Sequence, residues 1–188
     1  TALHSLNAVG TGGTFAISSG SVFTIMGVFA STGTYTGTGG GDVVSTARLQ
    51  GSDDTFTLDF PQGMFELSTT GQPIANSGTI RNDGEITLRN ASEPIRSIAS
   101  LINNGSIVQS SGTHVQLLNF STTFNHGQWQ LQGDSTIAID FFDGLAAYFA
   151  NVGTIVKTGP LGTSRIYSLQ NETQPVFSNS GRIEVSSG

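Results

Sequence analysis

Asn76-Ser77-Gly78-Thr79-Ile80, Asn103-Asn104-Gly105-Ser106-Ile107, Asn125-His126-Gly127-Gln128-Trp129, Asn151-Val152-Gly153-Thr154-Ile155 and Asn179-Ser180-Gly181-Arg182-Ile183 are five copies of one unit, Asn-x-Gly-x-apolar. The asparagines stand 27, 22, 26 and 28 residues apart. That period suits one coil of a parallel β-solenoid, in which no coil buries its apolar face alone and stacking supplies the core. An apolar residue stands one or two positions ahead of each asparagine, as Ile74, Leu101, Phe124, Phe149 and Phe177. Asn followed by Gly suits a sharp corner, because both tolerate positive φ, and asparagines at equivalent corners can hydrogen-bond from coil to coil. The segment after each corner alternates, with Ile80, Ile107, Ile155 and Ile183 on the core side and Thr79, Ser106, Thr154 and Arg182 on the solvent side. Trp129 holds the same position and is expected in the core.

Outward from the repeat, a second alternating segment begins six or seven residues after the first glycine, at Gly84, Gly112 and Gly159. Upstream of residue 70 the asparagine corner is missing, yet short alternating stretches persist, among them Val22-Phe23-Thr24-Ile25 and Thr55-Phe56-Thr57-Leu58. The reading is one all-β domain over 1–188, a right-handed parallel β-helix of about seven coils, degenerate over 1–70 and regular over 71–188. An antiparallel sandwich over the first 70 residues is the alternative. The stretch 140–149 interrupts the alternation and is expected to be a short helical or loop excursion.

Composition narrows the function. Seven Lys plus Arg against 13 Asp plus Glu leave a net charge of −6, and the basic residues are scattered, which disfavours a phosphate backbone as partner. No apolar run reaches the roughly 20 residues of a membrane helix, so no membrane insertion is expected. There is no cysteine, hence no disulfide framework and no thiol nucleophile. Only 11% of residues are charged and 25 are glycine, so Ser, Thr, Asn and Gln carry solubility, which suits extracellular strands and turns.

The units Asn151-Val152-Gly153-Thr154-Ile155-Val156-Lys157-Thr158-Gly159 and Phe177-Ser178-Asn179-Ser180-Gly181 resemble the Asn-x-Gly-Thr-Ile, Lys-Thr-Gly and Phe-x-Asn-x-Gly repeats of large bacterial extracellular β-solenoid proteins, of the adhesin and autotransporter-passenger kind. The resemblance implies a scaffold at the cell surface or outside the cell, and it transfers no catalytic residue. The family pattern often continues its last Ser-Gly with a further strand, which is not present after Ser187-Gly188. End-to-end pairing of coil edges, and a surface glycan or protein, are the partners this reading suggests.

Each chemical candidate has a plain structural alternative. Asp134, Asp140 and Asp143 are the acids a polysaccharide-cleaving β-helix would use, but a glycosidase pair must share one cleft about 5–10 Å across, and otherwise they are solvated loop acids. Asp53, Asp54 and Asp59 form the other acidic segment. Asp42 after Gly39-Gly40-Gly41 echoes a calcium-binding coil only once, and His4, His114 and His126 lack paired spacing, so neither metal nor cofactor is expected. Thr32, Thr34, Thr36 and Thr38 alternate as an ice-binding rank would, without recurring coil after coil. Phe141, Phe142 and Tyr148, beside Asp140 and Asp143, mark the best place for ligand or partner contact, with Tyr35 and Tyr167 as further aromatics. Structural corners are assigned to Asn76, Gly78, Asn103, Gly105, Asn125, Gly127, Asn151, Gly153, Asn179 and Gly181.

Overall fold

The computed structural model describes residues 2–5, 8–69, 73–74, 78–90, 93–97, 100–118, 121–142, 145–159, 162–168 and 177–186. It is a parallel β-solenoid, and among the described residues it contains no helix. Three parallel sheets form its walls, with nine, eight and five strands, a stacking slightly different from the seven coils expected. The first sheet runs from Ala2–Ser5 to Arg182–Val185, the second from Ala8–Ile17 to Phe177–Asn179, and the third from Pro73–Ile74 to Arg165–Ser168. From Phe65–Thr69 onward the chain visits them in the order first, third, second, and before that it alternates between the first and second, because a parallel neighbour can be reached only by travelling round the coil.

The coils upstream of residue 70 belong to the same walls. Val22–Met26 pairs in parallel with both Ala2–Ser5 and Asp42–Ser45, so the antiparallel alternative is excluded there. These coils turn one corner without breaking the strand: Ala8–Ile17, Val28–Gly39 and Arg48–Asp59 are 10 to 12 residues long, and their pairing slips at Gly10/Gly12 and at Ser31/Gly33. Extra residues at a bulge bend a strand without ending it. Gly33 sits at one slip with φ +78, and a Cβ there would lie 2.3 Å from the Thr11 carbonyl oxygen.

The interior changes character along the axis. Upstream it is aromatic: Phe29 and Phe56 meet edge to face at 5.2 Å, and Phe60 stacks on Phe65 at 4.8 Å. Tyr35 belongs to this cluster and is buried, its hydroxyl bonded to Ser31 Oγ, so it is not a surface aromatic. Downstream aliphatic residues predominate around fewer rings: Ile107 is paired to Trp129 and Trp129 to Ile155 in the first sheet, and Trp129 meets Phe149 edge to face at 5.3 Å. Trp129 is fully buried, as its place in the repeat indicates, and its Nε1 donates to Gln109 Oε1 at 3.0 Å. Gln109 is itself buried and donates to the carbonyls of Thr113 and Thr136, both at 2.8 Å.

Phe124 stands one residue, and not two, ahead of its asparagine, and this decides which way it faces. Strict alternation toward Asn125 sends Thr123 inward, fully buried and paired with Leu101, while Phe124 faces out and stacks on His126 with ring centroids 6.2 Å apart. The inward position lies two residues before each asparagine, and in this coil a threonine holds it.

The described residues of 140–149 are not helical. Phe141–Phe142 pairs antiparallel with Leu145–Ala146, and Ala147 N–H donates to the Asp140 carbonyl at 3.1 Å. A small hairpin therefore leaves the coil between the third and second sheets and returns at its base.

Candidate functional site

One corner of the solenoid holds most of the residues singled out in the sequence. Asn82, Asn103, Asn125 and Asn151 are buried at one corner, and each donates Nδ2 to the Oδ1 of the asparagine one coil on: 2.7, 2.6, 2.7 and 2.6 Å, ending at Asn179. The same Nδ2 groups of Asn82, Asn103 and Asn125 also reach the carbonyls of Ser106, Gln128 and Thr154. A buried primary amide has two N–H donors, and here both are used.

The rung beneath Asn103 is thus Asn82, within Asn82-Asp83-Gly84-Glu85-Ile86, and not Asn76. Asn76 lies outside the described residues, and Gly78 precedes the strand Thr79–Asn82 with φ 82. The ladder begins at Asn82 because Leu58 pairs with it from the preceding coil and offers no donor. Asn82 Oδ1 accordingly has no hydrogen-bond partner.

The reason for glycine at this corner also differs from expectation. Gly84, Gly105, Gly127, Gly153 and Gly181 are not among the positive-φ glycines. A Cβ on Gly105, Gly127, Gly153 or Gly181 would instead lie 2.0–2.1 Å from the carbonyl oxygen of the corner glycine one coil earlier. Close approach of stacked backbones excludes any side chain. Positive φ is needed at another corner, between the first and third sheets, where Gly112 has φ 74 and the turn closes through Thr113 N–H to the Ser110 carbonyl at 3.0 Å.

Asp83 sits on the outside of the ladder. Its partial burial alone would raise its pKa, but hydrogen bonds from Arg81 Nε (2.7 Å) and Asn104 Nδ2 (2.8 Å), with the Arg81 charge, outweigh burial and hold it below the ordinary value. A carboxyl lowered by folding stabilises the native state above its unfolded pKa and loses that contribution as pH falls through its folded pKa. Asp83→Asn is therefore expected to lessen the fall in stability below about pH 4, as read from urea midpoints measured between neutral and acidic pH.

The acidic candidates are dispersed. Asp134 accepts from Thr163 N–H at 2.7 Å, and Asp140 accepts from Gln116 Nε2 at 3.2 Å. They flank opposite ends of the strand Thr136–Ile139, so their Cα atoms are about 20 Å apart at the rise of an extended chain, twice what a glycosidase pair spans. Asp143 lies outside the described residues, as do the side chains of Phe141, Phe142, Asp53, Asp54 and His4. Tyr148 is half-buried and pairs with Thr122 in the second sheet. No group of three or more His, Asp or Glu able to hold a metal occurs among the described residues.

Two depressions mark the outer walls. One, on the first sheet, is lined by Asp42, Glu66, Thr87 and Arg89, and its charges answer each other through Arg89–Glu66 at 3.4 Å. The other, about 310 Å³, lies on the third sheet among Pro94, His114, Gln116, Thr136, Ala138 and Tyr167. Of these, Tyr167 was singled out from sequence as an aromatic contact and His114 only as a metal ligand lacking paired spacing. The lining residues come together through pairings 22 and 29 residues apart, His114 with Thr136 and Thr136 with Arg165; the alternating segments after Gly112 and Gly159 lie on this wall, whereas the one after Gly84 lies on the first sheet.

These features define the class: a parallel β-solenoid braced by an asparagine ladder along one corner. No family model matches the chain, and comparison with curated proteins and with solved structures finds no match.

Proposed function

We propose that the chain is a non-catalytic structural element of an extracellular or cell-surface protein: a rigid spacer or adhesin segment, able to join further copies through its coil ends. The observation that carries this reading is the unbroken corner, with asparagine bonded to asparagine from Asn82 to Asn179 and glycine backbones in contact alongside. Such a corner locks each coil to the next, so bending the axis breaks buried hydrogen bonds, and stiffness is what a spacer needs. The resemblance to bacterial surface repeats agrees with it.

Small-angle scattering across a concentration series tests the reading. Nine strands at the inter-strand spacing give a rod about 40 Å long. Constant rods of that length support the spacer, and growth along the axis alone supports end-to-end joining. A flexible, length-averaged profile overturns rigidity. Release of reducing ends when the purified chain is incubated with polysaccharides overturns the non-catalytic part.

A further inference from the structure

The depression on the third sheet has a simple origin. Strand pairing places Arg96, Gln116, Ala138 and Tyr167 in one outward column. Between Gln116 and Tyr167 that column shrinks to a methyl group, and the missing side chain leaves the hollow. Its rim is held in place before any ligand arrives. The His114 ring is fixed through Nδ1 to Thr136 Oγ1 at 2.6 Å, which leaves Nε2 as its second hydrogen-bonding atom. The Gln116 amide is tied through Nε2 to Asp140, which leaves its oxygen as an acceptor. The Tyr167 ring, 42% exposed, forms the remaining apolar wall.

We propose that this hollow binds one ring of a neutral saccharide. A half-exposed aromatic offers contact area at small entropic cost, and it suits the C–H face of a pyranose. Fixed donors and acceptors around it suit ring hydroxyls, which do both, and preorganisation avoids the cost of ordering them on binding. The Asp140 carboxylate beside Gln116 disfavours an anion. The site is independent of the corner ladder, so it adds glycan contact to a rod whether or not the rod is a spacer.

The test is titration of the isotope-labelled chain with maltohexaose, cellohexaose, xylohexaose and chitohexaose, followed by amide chemical shifts. Saturable shifts at His114, Gln116 and Thr136 are expected with at least one of them, at the millimolar affinity typical of a single-ring contact, about 4 kcal/mol. Tyr167→Ala is expected to weaken binding at least about tenfold, while Tyr167→Phe keeps it. Ala138→Gln fills the hollow and is expected to abolish binding, whereas Thr24→Ala on the first sheet leaves it unchanged. Circular dichroism verifies that each variant is folded. No saturable shift with any oligosaccharide at about 10 mM, or undiminished binding by folded Tyr167→Ala or Ala138→Gln, overturns the proposal.

Discussion

Asn125→Ala is expected to lower the unfolding free energy by about 3–5 kcal/mol, whereas Asn179→Ala, the same change at the exposed end of the ladder, costs less than about 1 kcal/mol. Asn125 is fully buried. It accepts from Asn103 and donates to Asn151 Oδ1 and the Thr154 carbonyl, so truncation strands an acceptor on each of two groups and a donor on a third. Each buried polar group left unpaired costs about 1–3 kcal/mol, and the lost volume adds to it. At Asn179 water replaces the missing partners. The measurement is urea unfolding followed by the fluorescence of Trp129, the chain's one tryptophan, which lies in the core beside this corner. Equal losses at the two positions would mean that the ladder reports packing and not hydrogen bonding.

Gly127→Ala is expected to be at least as damaging, while Gly112→Ala costs about 1–2 kcal/mol. The two glycines are needed for different reasons. A methyl on Gly127 would lie 2.0 Å from the Gly105 carbonyl oxygen and 2.6 Å from that of Asn104, both backbone atoms that cannot swing aside. Adjacent coils must move apart, and the asparagine bonds across that step go with them. A methyl on Gly112 meets nothing within 4 Å and bears only the strain of φ +74. Loss of native circular dichroism in Gly127→Ala alone, or a much lower urea midpoint, agrees with this account. If Gly112→Ala proves equally harmful, backbone conformation and not coil contact governs both corners.

Both substitutions act on a corner whose existence was legible and whose register was not. Four of the five motif copies lie on the ladder as read, because Asn, Gly and the following apolar residue keep the same offsets whatever the length of the rest of the coil. The fifth was misplaced by six residues. Asn76-Ser77-Gly78-Thr79-Ile80 and Asn82-Asp83-Gly84-Glu85-Ile86 carry the same pattern, and only the pairing of Asn82 with Asn103 distinguishes them. At Phe124 the two-residue period of a strand overrides apolar character: it assigns the core position to Thr123 and leaves the ring outside.

The excursion at 140–149 was expected as helical or looped, and only the pairing decides between the two. Phe141-Phe142 and Leu145-Ala146-Ala147 fit a helical turn by composition, yet they pair as a hairpin. Asp140 and Tyr148 are tied by backbone bonds to the Leu117 and Ser121 carbonyls of the coil before, so the two ends of the excursion are anchored to the same corner. A hairpin returns the chain to its starting point with its hydrogen bonds made, which one helical turn does not.

The sequence by itself determined the parallel solenoid, its asparagine-bearing corner and the burial of Trp129, because each follows from short-range spacing repeated coil after coil. The tertiary structure decided the starting rung of the ladder, the steric basis of its glycines and the hollow on the third sheet. All three depend on which residues from successive coils lie side by side. With coils of unequal length, from His114 to Thr136 to Arg165, that alignment is set by stacking and cannot be counted along the chain.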